Sequence, residues 1–254
     1  MKIASWNVNS LKARREHIEK VLEDGGLDVL MVQELKGEEF PTDDFEKLGW
    51  HTAFVGQKAY NGVAVFSKTP LEVLHDKLHG DDSDEQARYI EFETSGLRLI
   101  NIYLPNGNPI GTEKFEYKLG WMERLYARLK ELRDNDTPFA IGGDFNVIPA
   151  DKDCYDPKAW VDDALAQPES RAAFRKLINL GLYEAFRCLN TKAGQYTFWD
   201  YQAGRWPKDE GIRIDHFLLS PEIADRLLSC TIDKDPRGWT KPSDHTPIIV
   251  EIAA

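Results

Sequence analysis

KIASWNVNSLKARREHIEKVLEDGGLDVLMVQE, residues 2–34, reads as a strand, a helix and a second strand. Lys2 to Asn7 alternates weakly and ends in polar residues, as a strand running out into a loop does. From Ser10 onward Leu11, Ile18, Val21 and Leu22 fall near one helical face, with Asn9 or Ser10 placed to cap the helix and Gly25-Gly26 to stop it. Residues 28–34 then form an apolar run that closes on a carboxylate, Glu34. A unit of this kind predicts an α/β fold.

Outward from this unit the pattern becomes mixed. His51 to Val55, Gly62 to Ser67, Tyr89 to Thr94 and Leu97 to Leu104 are short runs rich in β-branched or aromatic residues, and the hairpin-sized gaps between some of them predict antiparallel strands. Thr112 to Arg133 carries Phe115, Leu119, Met122, Tyr126, Leu129 and Leu132 at helical spacing, and Pro138 closes the connection into a strand from Phe139 to Asp144. A helix is expected over Glu169 to Leu182, a strand over Ile212 to Ser220, a helix over Pro221 to Leu228 and a last strand over Thr246 to Ile252. No repeat or linker divides the chain, so residues 1–254 are expected to form one domain.

Composition narrows the function classes. The 42% hydrophobic and 30% charged content, with no low-complexity tract, is that of a globular chain and not a disordered one. No run is long enough for a membrane helix, and Met1 to Trp6 lacks the succession of a signal peptide, so no membrane partner and a cytoplasmic location are expected. Cys154, Cys188 and Cys230 lie far apart without a CxxC pattern, which suggests neither a disulfide framework nor a zinc site. A net charge of −11 excludes a protein that holds polyanions by bulk charge. A nucleic-acid substrate would need a local basic surface and a metal.

The informative polar residues all stand where an apolar strand gives out, which is where α/β folds tend to place their chemistry. In GGDFN (142–146), Asp144 and Asn146 are two apart and would share a face in extended chain. A carboxylate beside a neutral amide suits a water nucleophile, although an Asx turn after a buried strand has the same look. Asn7 and Asn9 repeat the spacing and could instead cap the following helix. Glu34 is sufficient as an anchor for Mg²⁺, which needs only one or two carboxylates. In KPSDHTP (241–247) adjacent residues face opposite ways, so Asp244 is free to ligate metal while His245 needs another carboxylate, for which Asp215 is the candidate. Each signature alone has an ordinary reading as a loop or ion-pair residue. Five of them at strand ends together predict a site for phosphate and a divalent cation.

SWNVNSL (5–11), QELK (33–36), YLPNG (103–107), GGDFN, IRIDHFLLS (212–220) and KPSDHTPI (241–248) also occur in the order of a known family. From Lys2 to Ile252 the chain resembles the exonuclease III family of apurinic/apyrimidinic endonucleases, of the bacterial exodeoxyribonuclease III type, within the endonuclease/exonuclease/phosphatase superfamily. The resemblance implies a four-layered α/β sandwich, two packed mixed β-sheets flanked by helices. It implies Mg²⁺-dependent hydrolysis, with Mn²⁺ as an alternative, of double-stranded DNA on the 5′ side of abasic sites in base excision repair. It further implies 3′-to-5′ exonuclease and 3′-phosphatase activities on blocked 3′ ends, in a monomer without an obligatory protein partner.

Residue by residue, the resemblance makes Glu34 the main metal ligand with Asn7 and Asp244 beside it. Asp144 would activate water and Asn146 position it, Tyr103 and Asn106 would bind or polarise the scissile group, and Asp215 with His245 would meet the phosphate. Phe198, Trp199, Ile212 and Ile214 fall where the family forms an apolar pocket for a flipped-out sugar, and Asn9, Lys36, Arg88 and Arg213 are candidate DNA contacts. Aromatic residues at such positions are also ordinary core residues. Leu35 departs from a threonine common in relatives, Ser10 from a glycine and Asn9 from an aspartate of some branches. Two rivals remain: a superfamily phosphoesterase acting on small-molecule or lipid phosphates, and a catalytically inactive nucleic-acid-binding module.

Overall fold

A computed structural model describes residues 1–253, so the last residue of the expected 1–254 domain lies outside the described residues. The chain runs through β1 (Lys2–Asn7), α1 (Leu11–Asp24), β2 (Val29–Gln33), α2 (Thr42–Lys47), β3 (His51–Val55), β4 (Val63–Ser67), β5 (Leu71–His75), β6 (Tyr89–Thr94), β7 (Leu97–Tyr103), α3 (Glu113–Asp134) and β8 (Phe139–Asp144). It continues through α4 (Pro168–Ile178), β9 (Tyr183–Glu184), α5 (Ala185–Leu189), β10 (Asp215–Leu219), α6 (Pro221–Ala224), β11 (Leu227–Ile232) and β12 (Ile248–Ile252). Ser10, one of the two expected caps, accepts from the Ala13 N–H with its hydroxyl, and Gly25 closes α1 by donating to the Val21 carbonyl.

The strands form two mixed six-stranded sheets, ordered β11-β12-β1-β2-β4-β3 and β5-β6-β7-β8-β10-β9. Each sheet contains one parallel pair, β1 with β2 and β7 with β8, and each pair is joined by a helical crossover, α1 and α3. Ile3, Met31, Val65, Phe92, Leu99 and Phe217 belong to the buried cluster between the sheets. α1 and α2 cover the outer face of the first sheet over Trp6, Leu30 and Phe66, while α3 and α4 cover the second over Ile100, Ile141 and Phe145. Four layers result, as expected. Among the described residues no helix is long and apolar enough to cross a membrane.

Three expectations need correction. The helix expected over Pro221 to Leu228 ends at Ala224, and residues 227–232 form β11, an edge strand whose partner is β12. Proline started the helix, but sheet pairing, a tertiary effect, claimed the residues after it. The strand expected from Ile212 begins only at Asp215, and Ile212 makes isolated bridges to Cys154 and Phe198 instead. β5, β9, α2 and α5 were not anticipated at all, being short or, in β5, without alternation of burial.

Candidate active site

The parallel pairs bring their carboxyl ends to one edge of the sandwich. Asn7 and Gln33 are register partners at the ends of β1 and β2; Tyr103, Asp144 and Asp215 form a row across β7, β8 and β10. The glycines before Asp144 are required by packing. A Cβ on Gly142 would lie 2.4 Å from the Phe217 ring, and one on Gly143, at φ +152°, 2.0 Å from the Ile102 carbonyl oxygen.

Glu34 stands just beyond β2, and its Oε1 accepts from Asn7 Nδ2 at 2.9 Å and from the Tyr103 hydroxyl at 2.9 Å. Its Oε2 lies 2.9 Å from Lys36 Nζ. Burial opposes the charge on Glu34, but Lys36 and then Asn7 outweigh it and hold the carboxyl below its ordinary value. Burial and the charges of Glu34 and Asp144 push the Tyr103 phenol well above its ordinary value, which keeps it a neutral donor.

Deeper in the site Asp215 Oδ2 pairs with His245 Nδ1 at 2.8 Å, and His245 Nε2 lies 3.7 Å from Asp144 Oδ2. Burial alone would lower the imidazole, but the charge of Asp215 and then that of Asp144 raise it to about 10. Burial, helped by the charge of Asp215 and opposed by His245, pushes the Asp144 carboxyl up to about 7, in the range where a general base works near neutral pH. Asp215 Oδ1 is buried without a partner. Asp144 Oδ2 also accepts from Asn7 Nδ2 at 3.0 Å, so Asn7 bridges Glu34 and Asp144.

Asp144 and Asn146 do not share a face by extension, as their spacing suggested. Asn146 is at φ +48° and donates its N–H to Asp144 Oδ1, so both alternatives hold: an Asx turn that also brings both side chains to the pocket. Asn9, at φ +46°, makes the same turn on Asn7 Oδ1. Asn146 Oδ1 accepts from Asn106 Nδ2 at 3.1 Å. Beneath both loops Lys118 of α3, fully buried, donates from Nζ to the carbonyls of Asn106 at 3.0 Å and Asn146 at 2.5 Å. Burial lowers this ammonium to about 7 against the pull of Asp144 and Asp163.

These groups line a pocket of about 300 Å³ that includes Glu34, Tyr103, Asn106, Asp144, Asn146, Asp244 and His245, with Phe198, Ile214, Trp160 and Leu165 as its apolar walls. Asp244 turns away from Asp215 and accepts from Asn9 Nδ2 at 2.9 Å, while Lys36 also donates to Asn9 Oδ1. Three expected residues are elsewhere, the first being Ile212, which lines a neighbouring cavity and not this pocket. Trp199 is buried behind the pocket with its indole N–H on Asp209. Arg213 is buried and ion-paired to Asp153 at 2.8 Å and Glu184 at 2.5 Å, so it is no surface contact for DNA. Arg88 lies 4.8 Å from the Tyr103 ring centre and donates to the Tyr103 carbonyl, which supports the tyrosine directly. Trp160 and Leu165 were missed, and nothing in their sequence context marks them. Lys118 was missed although a lone lysine on the apolar face of a helix was a visible signal. Five non-glycine residues around the rim, Asn9, Ser10, Glu34, Lys36 and Asn146, have positive φ.

The donor set fits a hard divalent cation. Glu34 and Asp244 bring carboxylate oxygens into the same pocket, and Asp215 Oδ1 beside it is a buried carboxylate oxygen without a partner, whereas His245, raised to about 10 and bonded to Asp215, is protonated and offers no lone pair. The Asn7 side-chain oxygen Oδ1, the atom a metal would take, accepts instead from the Asn9 N–H.

Comparison with known proteins agrees with this chemistry. Residues 4–245 match the Endonuclease/Exonuclease/phosphatase family. Exodeoxyribonuclease III of Haemophilus influenzae is 36% identical over 265 residues, covering 99% of each chain. The structure of the 3′ phosphatase NExo from Neisseria, bound to a product DNA hairpin, superimposes with a TM-score of 0.97 at 36% identity over 100% of both chains. An AP endonuclease from Archaeoglobus fulgidus gives 0.95 at 35% identity, again over 100% of both.

Proposed function

The chain belongs to the endonuclease/exonuclease/phosphatase family, and from that premise we propose that it is a divalent-metal DNA phosphodiesterase of base excision repair. It hydrolyses duplex DNA on the 5′ side of abasic sites and clears 3′ ends by exonuclease and phosphatase action. The observation that carries this reading is the cluster of Asp144, His245 and Asp215, of which Asp144 and His245 line one pocket together with Glu34, Tyr103, Asn146 and Asp244.

Water held by Asp144 and Asn146 attacks phosphorus. Asp144 takes its proton, and the raised carboxyl is matched to that task. His245, kept charged and oriented by Asp215, donates from Nε2 to a phosphate oxygen, and the Tyr103 hydroxyl turns its one O–H from Glu34 to the scissile group. Glu34 and Asp244 would hold Mg²⁺ or Mn²⁺, which offsets negative charge on the phosphate when bound. Phe198, Ile214 and Leu165 supply an apolar surface for the sugar. Residues 1–254 act as one domain, a monomer in the cytoplasm.

A labelled duplex carrying one abasic analogue, followed over time with Mg²⁺, tests the reading. A single incision 5′ to the analogue followed by progressive 3′ shortening is expected, and EDTA abolishes both. Hydrolysis of soluble phosphoesters without any DNA cleavage would overturn it.

A further inference from the structure

Phe198, Trp160, Asp163 and Asp200 line not only the catalytic pocket but also a second cavity of about 210 Å³. The two are therefore contiguous, and Phe198, whose ring centre lies 5.0 Å from that of His245, is part of the wall they share. The remaining surface of the second cavity comes from Tyr155, Ala159, Ile212, Arg205 and Glu210, with Gly211.

We propose that this cavity is a subsite for the nucleobase of the 3′-terminal nucleotide, so that the enzyme releases base-bearing nucleotides through a dedicated contact. The proposal deepens the phosphodiesterase reading and rests on it. Along a nucleotide the groups follow in the order phosphate, sugar, base. The polar groups of the catalytic pocket suit the first and its apolar wall the second. The contiguous cavity lies where the third would fall.

Three aromatic side chains, Tyr155, Trp160 and Phe198, line the cavity, and stacking of a planar heterocycle on aromatic rings is a mode of binding that tolerates any base. The charge argues against a second phosphate there. Asp163, Asp200 and Glu210 outnumber Arg205, whose guanidinium is already 2.5 Å from Glu210 and stacked 4.8 Å from the Tyr155 ring centre. Carboxylates repel a phosphate but accept hydrogen bonds from base amino groups. At about 210 Å³ the cavity falls below the range of about 300–1,000 Å³ usual for larger ligands, which suits one base and not a dinucleotide.

In the reaction served by this subsite, the water oxygen bonds to phosphorus and the bond from phosphorus to the 3′ oxygen of the preceding nucleotide breaks. That oxygen takes a proton, and a nucleoside 5′-monophosphate leaves. A 3′-phosphate has no base beyond the scissile bond, and an abasic sugar has none either. Filling the subsite should therefore separate these activities.

Ala159 contributes only a methyl group, is exposed and does not line the catalytic pocket, so Ala159→Trp fills the second cavity from its rim. Release of nucleotides from a paired 3′ end and removal of a 3′-phosphate from the same duplex are measured with Mg²⁺ for the wild type, Ala159→Trp and Tyr155→Ala. The expected result is a fall of about tenfold or more in kcat/KM for nucleotide release by Ala159→Trp, a smaller fall for Tyr155→Ala, and unchanged phosphate removal by both. Unchanged phosphate removal also shows that the variants are folded. Equal losses in both activities, or nucleotide release untouched by Ala159→Trp, would overturn the subsite. A wild type that removes phosphates but no nucleotides overturns it as well, whereas a wild type that cleaves no DNA phosphoester overturns the phosphodiesterase reading itself.

Discussion

Two buried ionic clusters meet at the start of β10, and they are built to opposite rules. Arg213 and Arg187 face Asp153 and Glu184, two positive charges against two negative, with His216 between Glu184 and the Val147 carbonyl. Two residues on, Asp215 and Asp144 share the single imidazole of His245, and Asp215 Oδ1 has no partner. The first cluster is balanced in charge, the mark of a structural tie, although it too holds an orphaned atom, Arg187 Nε. The second carries an excess negative charge, opens to a pocket and has its titrating groups displaced toward useful values, the mark of a site for a cation and a phosphate.

The sharpest way to break the comparison is Asp144→Asn, which keeps the shape of the cluster but removes the carboxylate proposed to act as base. Incision should fall by roughly 10³-fold while binding to abasic DNA, measured by fluorescence anisotropy, persists; near-normal single-turnover rates would move the base elsewhere. Arg213→Met should do the reverse. It leaves Asp153 with Arg187 alone and Glu184 with His216 as its one side-chain partner, and costs about 3–5 kcal/mol of stability, read as a shift of the urea midpoint, with turnover per folded molecule retained. Loss of turnover without loss of stability would place Arg213 in the catalytic machinery after all.

Lys118→Met probes the support under the pocket. Without its ammonium the Asn106 and Asn146 loops lose a shared donor, and kcat should drop by roughly 10² with little change in KM. A change in KM alone would contradict that role. The clusters should also fail at opposite ends of the pH scale. Glu184 is opposed by burial but held down by Arg213 and His216 to about 2 from an ordinary 4.5. Its stabilisation is therefore full above about 4.5 and lost as pH falls through about 2. His245 is raised, so its contribution is full below about 6.5 and lost as pH rises through about 10. Urea midpoints of the wild type and Glu184→Gln should converge only in acid, and divergence persisting there would refute the assignment. The smallest effect is expected at Ser10, which sits at φ +97°. Ser10→Gly should raise Tm by about 2–4 °C for about 1 kcal/mol of relieved strain without altering incision. A lower Tm would show that the Ser10 cap on Ala13 outweighs the strain.

The sequence made the candidate cluster legible because Glu34 and Asp144 each close an apolar strand and Asp244 and His245 sit between prolines, while Tyr103 was singled out only by the family resemblance. It did not disclose the structural cluster. Arg213 stands in the same IRIDH stretch as Asp215, yet its fate is decided by Asp153 and Glu184, 60 and 29 residues away. Trp199 beside Phe198 presents the same difficulty, since only the packing of the following loop sends one ring inward and leaves the other at the pocket. Periodicity predicted an α/β fold with mixed strands and the family resemblance supplied the four layers, whereas β11 depended on a partner strand that no local pattern reveals.

The positive backbone angles around the rim set a limit on how this protein can be improved. At Glu34, Lys36 and Asn146 glycine would adopt the same angle at less cost, so a laboratory selection for heat resistance should drift toward it. The same exchange would delete the carboxylate, the ammonium or the amide that faces the pocket. At these positions robustness and activity are competing traits, and variants that gain one without losing the other should be sought away from the rim.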